Sequence, residues 1–247
     1  MKKWLYVLAL AALATSFHID PTYAQSMTVD LGKTTSGEAT GRIIQLVVLL
    51  TVISLAPSIL VMTTSFMRII IVLSFLRSAL GLQQTPPNQV LISLALFLTA
   101  FIMAPVFERA YDDGVRPLME DQITEEQALE RVGLPFHEFM MQHVRDKDLQ
   151  LFVGMSKLTI EKPEDTPFRV LVPAYMISEL KRAFEIGFLI FIPFIIIDML
   201  VASILMAMGM MMLPPVMISL PFKLIFFVLV DGWYMVCGSL VKSFGTI

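Results

Sequence analysis

The sequence predicts an all-α protein of the integral-membrane type, and two observations support this. Of its 247 residues, 56% are hydrophobic and only 16% are charged, and the mean hydropathy is +0.76. One soluble core of this size seldom hides so much apolar surface. The apolar residues also form long runs that end at prolines or short polar stretches, which predicts membrane-type helices paired as hairpins.

The N-terminal 24 residues are predicted to be a secretory signal peptide. Lys2 and Lys3 precede an apolar stretch from Trp4 to Ala14, and Thr22-Tyr23-Ala24 is a small-x-small cleavage site. Eleven apolar residues are too few to span a bilayer, so cleavage after Ala24 is favoured over an uncleaved anchor helix. Residues 25–41 are polar and small without periodicity, which predicts a mobile leader.

Residues 42–107 are predicted to form a first apolar helical hairpin. An apolar run extends from Arg42 to Met62, with Pro57 interrupting it, and it resumes after Thr63-Thr64-Ser65. The turn QTPPN follows, and its paired prolines end one helix. Its asparagine can cap the next, the predicted span Val90–Phe107.

Residues 108–183 are predicted to form an acidic helical segment. Between residues 108 and 170, fourteen acidic residues face eight basic ones. The stretch TEEQALERV, from Thr124 to Val132, has the pattern of a helix that begins with a capping box. His137 and His143 are six residues apart, which does not suit a metal site, so both are predicted to be surface histidines.

Residues 184–247 are predicted to form a second apolar hairpin with a methionine-rich turn. The runs Ile186–Leu213 and Val216–Val241 are separated only by Pro214-Pro215. In the stretch AMGMMMLPP, Gly209 permits a tight bend, and the two prolines end the helix by removing backbone donors.

The signal peptide predicts the topology, because it sends the mature N-terminus outward. Residues 63–89 then lie inside, and they carry two arginines and no acid, as the positive-inside rule prefers. The acidic segment then lies outside, and the methionine-rich turn lies inside.

Three charges lie within the last two apolar runs: Asp198, Lys223 and Asp231. In hydrocarbon each would cost on the order of 3 kcal/mol, so each should face protein or water. Counted from the two prolines, Asp198 and Asp231 are each about sixteen residues away and are expected at similar depth. Lys223 is expected to meet a carbonyl or a carboxylate of another helix or another chain. The three charges suit structural packing, a proton relay, or the packing of an oligomer with a wet interior.

Several classes of function are excluded. The net charge is −3 and no basic run is present, so nucleic acid is not an expected partner. The single cysteine, Cys237, cannot build a disulfide framework or a Cys/His metal cluster within one chain. No nucleophile elbow, phosphate loop or zinc-protease motif is present. The sequence therefore predicts neither an enzyme nor a cofactor.

Two segments carry a resemblance to a known family. These are PAYMISELKRAFEIG, from Pro173 to Gly187, and PFKL at Pro221 followed by VDGW from Val230 to Trp233. They resemble the signature segments of the FliP family, the flagellar biosynthesis protein that is also represented in virulence type III secretion. The likeness extends from about Arg42 to the C-terminus and includes FMRIIIVLSFLRSALGLQQTPPNQVL and AMGMMMLPP.

The resemblance implies a helical ring of five copies that joins FliR- and FliQ-type subunits in the export gate at the base of the flagellum. It implies bent helical hairpins, much of the assembly standing above the inner membrane toward the periplasm, and unfolded flagellar proteins passing through the centre. Glu179, Lys181 and Arg182 become candidates for contacts between subunits.

The resemblance also implies a role for the methionines. A methionine run alone is typical of gap-filling core or lipid-facing surface, because the thioether side chain fits irregular spaces. On a ring, the same side chains can meet at the axis and close a pore by excluding water. The expected gasket residues are Met208, Met210, Met211 and Met212. The alternative function is a proton-coupled membrane transporter that uses Asp198 and Asp231.

Overall fold

The computed structural model describes residues 36–156, 162, 165–210 and 212–245. These residues are mainly helical and contain no strand, so the all-α prediction is confirmed for the described part of the chain. A π-helical turn, Tyr111–Val115, joins α3 to α4. The helices are α1 (Ser36–Thr63), α2 (Phe66–Ala79), α3 (Asn88–Ala110), α4 (Arg116–Met119), α5 (Glu125–His143), α6 (Asp146–Ser156), α7 (Phe168–Ala207), α8 (Pro215–Leu229) and α9 (Gly232–Lys242).

The chain divides into two units, residues 1–52 and residues 53–247. In the first unit the structure describes the beginning of α1. In the second, the hydrophobic core is built around α2, whose Ile69, Val72 and Leu73 are fully buried. They belong to one cluster with Leu171 and Tyr175 of α7. Because α2 packs against both α3 and α7, most of its length is removed from solvent.

The membrane-type prediction is confirmed by helix length and composition. Three described stretches are long and apolar enough to cross a membrane: Ile43–Thr63, Asn88–Met119 and Phe168–Ala207. Helices α8 and α9 satisfy the same criterion together, but they are bent by 61° where they meet.

Helix α7 is the longest described element, with 40 residues. At a rise of 1.5 Å per residue it is about 60 Å long. It continues through Pro173 and Pro193 and through residues 183 and 184, where the sequence predicted a boundary between the acidic segment and the second hairpin. One helix therefore carries residues of both predicted segments.

The beginning of the described chain also differs from the prediction. Helix α1 starts at Ser36, inside the predicted mobile leader of residues 25–41, and runs through Pro57 without a break. The predicted break at Thr63-Thr64-Ser65 is present between α1 and α2. The predicted signal peptide, residues 1–24, and residues 25–35 lie outside the described residues.

The acidic segment begins its main helix as the sequence predicts. The Thr124 hydroxyl accepts a hydrogen bond from the backbone of Gln127, and the Gln127 side chain accepts one from the Thr124 backbone. This is the predicted capping box, which satisfies two backbone donors at the start of α5. Ala128 on this helix is buried and Val132 is half-buried.

The second hairpin contains a break that the sequence did not predict. The run Val216–Val241 is divided at Asp231, whose φ of 49° lies in the left-handed region. A Cβ on the next residue, Gly232, would lie 2.0 Å from a ring carbon of Phe227. Only glycine therefore permits this close approach, and the chain turns here instead of continuing one helix.

Candidate functional site

The methionine turn, defined as residues 207–215, is shaped by backbone hydrogen bonds. Helix α7 ends in a Schellman motif, in which the Gly209 N–H donates to Met206 O at 3.0 Å and the Met210 N–H donates to Leu205 O at 3.0 Å. Gly209 has a φ of 74°, which favours glycine because it lacks a Cβ. Pro214 precedes α8, and Pro215 is its first residue, where its missing N–H is not needed.

The described methionine side chains of this turn are exposed in the single chain. Met208 is 62% exposed, Met210 is 41% exposed and Met212 is 98% exposed. Met211 lies outside the described residues. A Cβ added to Gly209 would meet no atom within 4 Å, so the space beside Gly209 is open. The described methionines of the turn therefore do not fill a gap in the core of their own chain.

A second feature is the ion pair between Asp198 of α7 and Lys223 of α8. Lys223 Nζ lies 2.6 Å from Asp198 Oδ2 and donates to the Ala79 carbonyl oxygen of α2 at 3.2 Å. The Ser219 hydroxyl donates to the other carboxylate oxygen of Asp198 at 2.5 Å. As expected, Lys223 meets both a carboxylate and a carbonyl of other helices. The contact ties three helices together.

Asp231 lies apart from this ion pair. It is exposed at the break between α8 and α9, and its carboxylate forms no hydrogen bond or ion pair with the described residues. Helix α8 runs without a break from Pro215 to Leu229, and the bend comes only at Asp231. The expectation that Asp198 and Asp231 lie at similar depth stays a prediction.

The most deeply buried charges are Arg68 of α2 and Glu179 of α7. Arg68 Nε donates to Glu179 Oε2 at 2.8 Å and its Nη2 donates to Oε1 at 2.5 Å, with side-chain exposures of 1% and 0%. Arg68 Nη1 donates to the Ser243 hydroxyl at 2.8 Å, and the guanidinium carbon lies 3.6 Å from the centre of the Phe244 ring. The bidentate pair and the ring contact hold the C-terminal residues against α2 and α7.

This geometry corrects the expectation that Glu179 lies at a contact between subunits. Its carboxylate is fully buried and bound within the chain, so it has no surface to offer a neighbour. Lys181 is 46% exposed and pairs with Glu185 at 3.3 Å, and Arg182 is half-buried. Sequence reasoning did not find the partner of Arg68. The available signal was an arginine inside an apolar run, which predicts a buried partner without naming it.

The two histidines of α5 are not surface residues, which corrects the sequence-based expectation. His137 is half-buried, and its Nε2 lies 2.7 Å from the Thr166 carbonyl oxygen. His143 is buried and lies between the rings of Phe139 and Phe244, at 4.5 Å and 5.2 Å. Burial lowers the pKa of His143 below its ordinary value, and the nearby Arg68 acts in the same direction.

A polar contact also joins α6 to α7. The Ser178 hydroxyl donates to Asp148 Oδ2 at 2.7 Å, and the Arg145 guanidinium contacts both carboxylate oxygens of Asp148. Burial raises the pKa of Asp148, but the hydrogen bond from Ser178 and the ion pair with Arg145 outweigh it. The pKa of this carboxyl therefore lies below its ordinary value.

Long apolar helices joined by buried ion pairs define an all-α integral-membrane protein. Comparison with known proteins gives the family. The FliP family model matches residues 49–240. The chain is 57% identical over 246 residues to the flagellar biosynthetic protein FliP of Caulobacter vibrioides, covering 99% of this chain and 92% of that protein.

Two further relatives also match over most of the chain. Identity to the flagellar biosynthetic protein FliP of Bacillus subtilis is 58% over 204 residues, covering 81% of this chain and 91% of the relative. Identity to that of Rhizobium meliloti is 52% over 225 residues, covering 90% and 92%. The chain belongs to the FliP family, and it is a flagellar biosynthesis protein of the flagellar export apparatus. The resemblance noted in the sequence is therefore confirmed.

Proposed function

We propose that this chain is a pore-forming core subunit of the flagellar type III secretion export gate. Unfolded flagellar proteins pass through a channel that the methionine turns of several copies keep closed at rest. One observation carries the proposal: Met208, Met210 and Met212 are exposed at the end of α7, on a turn that its own backbone holds in shape.

The physical argument starts from the cost of exposed apolar side chains. A patch of this kind on a protein of known membrane type is stable when lipid or protein covers it. Around a symmetry axis, identical turns cover one another. A ring of unbranched thioether side chains excludes water and so blocks ions, and each side chain can change rotamer when a polypeptide passes.

The proposed partners are those that the family resemblance implies, and the apolar surface of residues 53–247 supports them. Large apolar side chains on α3, α7 and α8 are exposed, among them Phe97 at 75%, Phe188 at 66% and Leu229 at 79%. Lipid and neighbouring subunits are the partners that would cover them. The proposed assembly contains five copies of this chain together with FliQ- and FliR-type subunits, and Lys181 and Arg182 remain proposed subunit contacts.

The length of α7 supports a location partly outside the bilayer. A hydrocarbon core about 30 Å thick accommodates roughly half of this helix. Residues 186–207 contain one charge, Asp198, whereas residues 168–185 contain five. The proposed placement has the apolar half in the inner membrane and the charged half, with the acidic segment, in the periplasm.

The test is the replacement of Met210, Met211 and Met212 by alanine. Shorter side chains no longer fill the axis, so ion permeability of the cell membrane is expected to rise while the assembled ring is still recovered. The matched control replaces Met119 and Met155, which are 72% and 61% exposed in the acidic segment, and should leave the membrane tight. A tight membrane in an assembled triple variant would remove the gasket from the proposal.

The alternative, a proton relay through Asp198 and Asp231, has less support. Asp198 is bound by Lys223 and Ser219, and Asp231 lies at an exposed break instead of beside it. A carboxylate held by a buried lysine suits helix packing better than proton transfer, because its charge is already neutralised.

A further inference from the structure

The methionine turn differs chemically from the methionines of the core. Met103 and Met140 are fully buried, with 0% exposure. In the single chain, Met208, Met210 and Met212 are 62%, 41% and 98% exposed, and they lie on one short stretch of chain. The Schellman motif shapes the first part of this stretch, as far as Met210, through backbone hydrogen bonds.

An exposed thioether reacts with peroxide. The methionine sulfur attacks one oxygen of hydrogen peroxide, the O–O bond breaks, an S=O bond forms, and water leaves. The sulfur loses two electrons and the peroxide gains them, so the reaction needs no other component. The product, methionine sulfoxide, is polar and accepts hydrogen bonds, and methionine sulfoxide reductases return it to the thioether.

We propose that the methionine turn is a reversible oxidation site, and that sulfoxide formation at Met208, Met210 and Met212 unseals the export gate. This inference rests on the proposed function. A hydrophobic constriction blocks ions because water leaves it, and a ring of sulfoxide oxygens retains water there. Oxidation by peroxide thus changes a constriction that excludes water into one that retains water, and the backbone stays the same.

Exposure alone does not give a methionine this role. Met119 and Met155 are 72% and 61% exposed, which is comparable to the turn, and they lie in the acidic segment. Their oxidation changes surface polarity and leaves the proposed constriction intact. They therefore supply a control for the position of the oxidised sulfur, while Met103 and Met140 supply a control for its burial.

The experiment uses the assembled complex and hydrogen peroxide as the probe. Peptide mass spectrometry measures the sulfoxide fraction at each methionine, and ion flux across vesicles that contain the complex measures leakage. The sulfoxide fraction of the turn should exceed that of Met103 and Met140 several-fold, and flux should rise with it. Treatment with the two reductases, one for each sulfoxide epimer, should restore the seal.

Leucine variants separate oxidation from misfolding. M208L, M210L and M212L, combined with M211L to remove the neighbouring sulfur, keep apolar volume and cannot be oxidised. The rise in ion flux that peroxide induces should be absent from this variant, whatever its flux before peroxide, whereas the control M119L with M155L should show the same rise as the wild type. A rise in flux on adding peroxide to the leucine variant would overturn the inference.

The alanine variants distinguish this inference from the proposed function. Suppose that the alanine variants leak ions but that oxidation of the wild-type turn to sulfoxide does not raise the ion flux. The methionine gasket is then supported, and the proposed oxidation switch is wrong. The switch is also wrong if the turn of the assembled complex acquires no sulfoxide. If neither alanine nor sulfoxide raises flux, the gasket itself is wrong.

Discussion

Charged side chains are stable in the core of this protein because each one contacts groups that compensate its charge. Arg68 has a carboxylate, a hydroxyl and an aromatic ring around it, although Glu179 is 111 residues away in the sequence. Removing one partner of a buried pair leaves an uncompensated charge, whereas removing both leaves a mostly apolar site. From the sequence, Arg68 is one of the arginines of the inside segment, and no partner is named for it. The identity of its partner depended on the packing of α2 against α7.

Breaking this pair is expected to destabilise the protein strongly. Glu179→Gln leaves the Arg68 guanidinium buried without a counter-charge, at a cost of about 3–5 kcal/mol in the free energy of unfolding. Adding Arg68→Met should recover part of the loss, which thermal unfolding in detergent can measure as a double-mutant cycle.

The matched control for that pair is Arg109 with Glu138, a salt bridge whose side chains are 55% and 49% exposed. Water screens such a pair, so Glu138→Gln should change stability by well under about 1 kcal/mol. Equal losses of stability in Glu179→Gln and Glu138→Gln would show that burial does not increase the contribution of the Arg68–Glu179 pair.

His143 is expected to make the stability of the protein depend on pH. Its folded pKa lies below the ordinary 6.5, so the unfolded chain binds a proton more readily. The free energy of unfolding should therefore be highest above pH 6.5 and should fall as the pH decreases from there toward the folded pKa.

Unfolding measured between about pH 7 and pH 5 tests this, because the depressed pKa of Asp148 acts at lower pH. His143→Gln should flatten the slope, and the control His137→Gln should keep it. An unchanged slope in the His143 variant would assign the pH dependence to other groups.

At the scale of elements, the helices are joined by polar contacts between apolar faces. The Asp198–Lys223 pair joins α7, α8 and α2 through side chains that are 30% and 4% exposed. The break at Asp231 has a different origin, since it depends on a left-handed residue and on the close approach of Gly232 to Phe227. Two aspartates in similar apolar runs therefore have different structural roles.

Neutralising each aspartate should separate these roles. Asp198→Asn leaves buried Lys223 without a counter-charge and is expected to abolish recovery of the assembled complex. Asp231→Asn should assemble normally, because asparagine tolerates the left-handed conformation and the replaced carboxylate has no partner among the described residues. Native mass measurement of the co-expressed complex gives the readout.

Adding Lys223→Met to Asp198→Asn should restore part of the assembly, since it removes the unpaired charge. An intact Asp198→Asn complex whose export is lost in a pH-sensitive manner would instead favour the proton relay.

At the scale of the whole molecule, helix α7 is apolar enough to enter a bilayer but is longer than the bilayer is thick. About 60 Å of α7 cannot lie within about 30 Å of hydrocarbon unless the helix tilts steeply. The charges of its first half, the ion pair with α2 and the hydrogen bond from Ser178 to Asp148 of α6 place that half among protein contacts. The molecule therefore combines a soluble-type core with a membrane-type surface.

Cysteine labelling can locate the boundary. Arg169 and Met199 are both exposed on α7 and lie 30 residues apart, or about 45 Å. In a Cys237→Ser background, Arg169→Cys should react with a membrane-impermeant maleimide added to the periplasmic side. Met199→Cys should not react. Equal labelling of the two positions would contradict the proposed placement of α7.

The sequence by itself determined the helical class, the break at residues 63–65, the capping box at Thr124 and the family. Each of these depends on hydropathy, spacing or turn chemistry within a short stretch of chain. Only the tertiary structure decided the continuity of α7, the division at Asp231, the burial of His143 and the pairing of Arg68 with Glu179. Those features depend on which residues meet across long separations, because a proline, a charge or a histidine takes its role from the neighbours that packing provides.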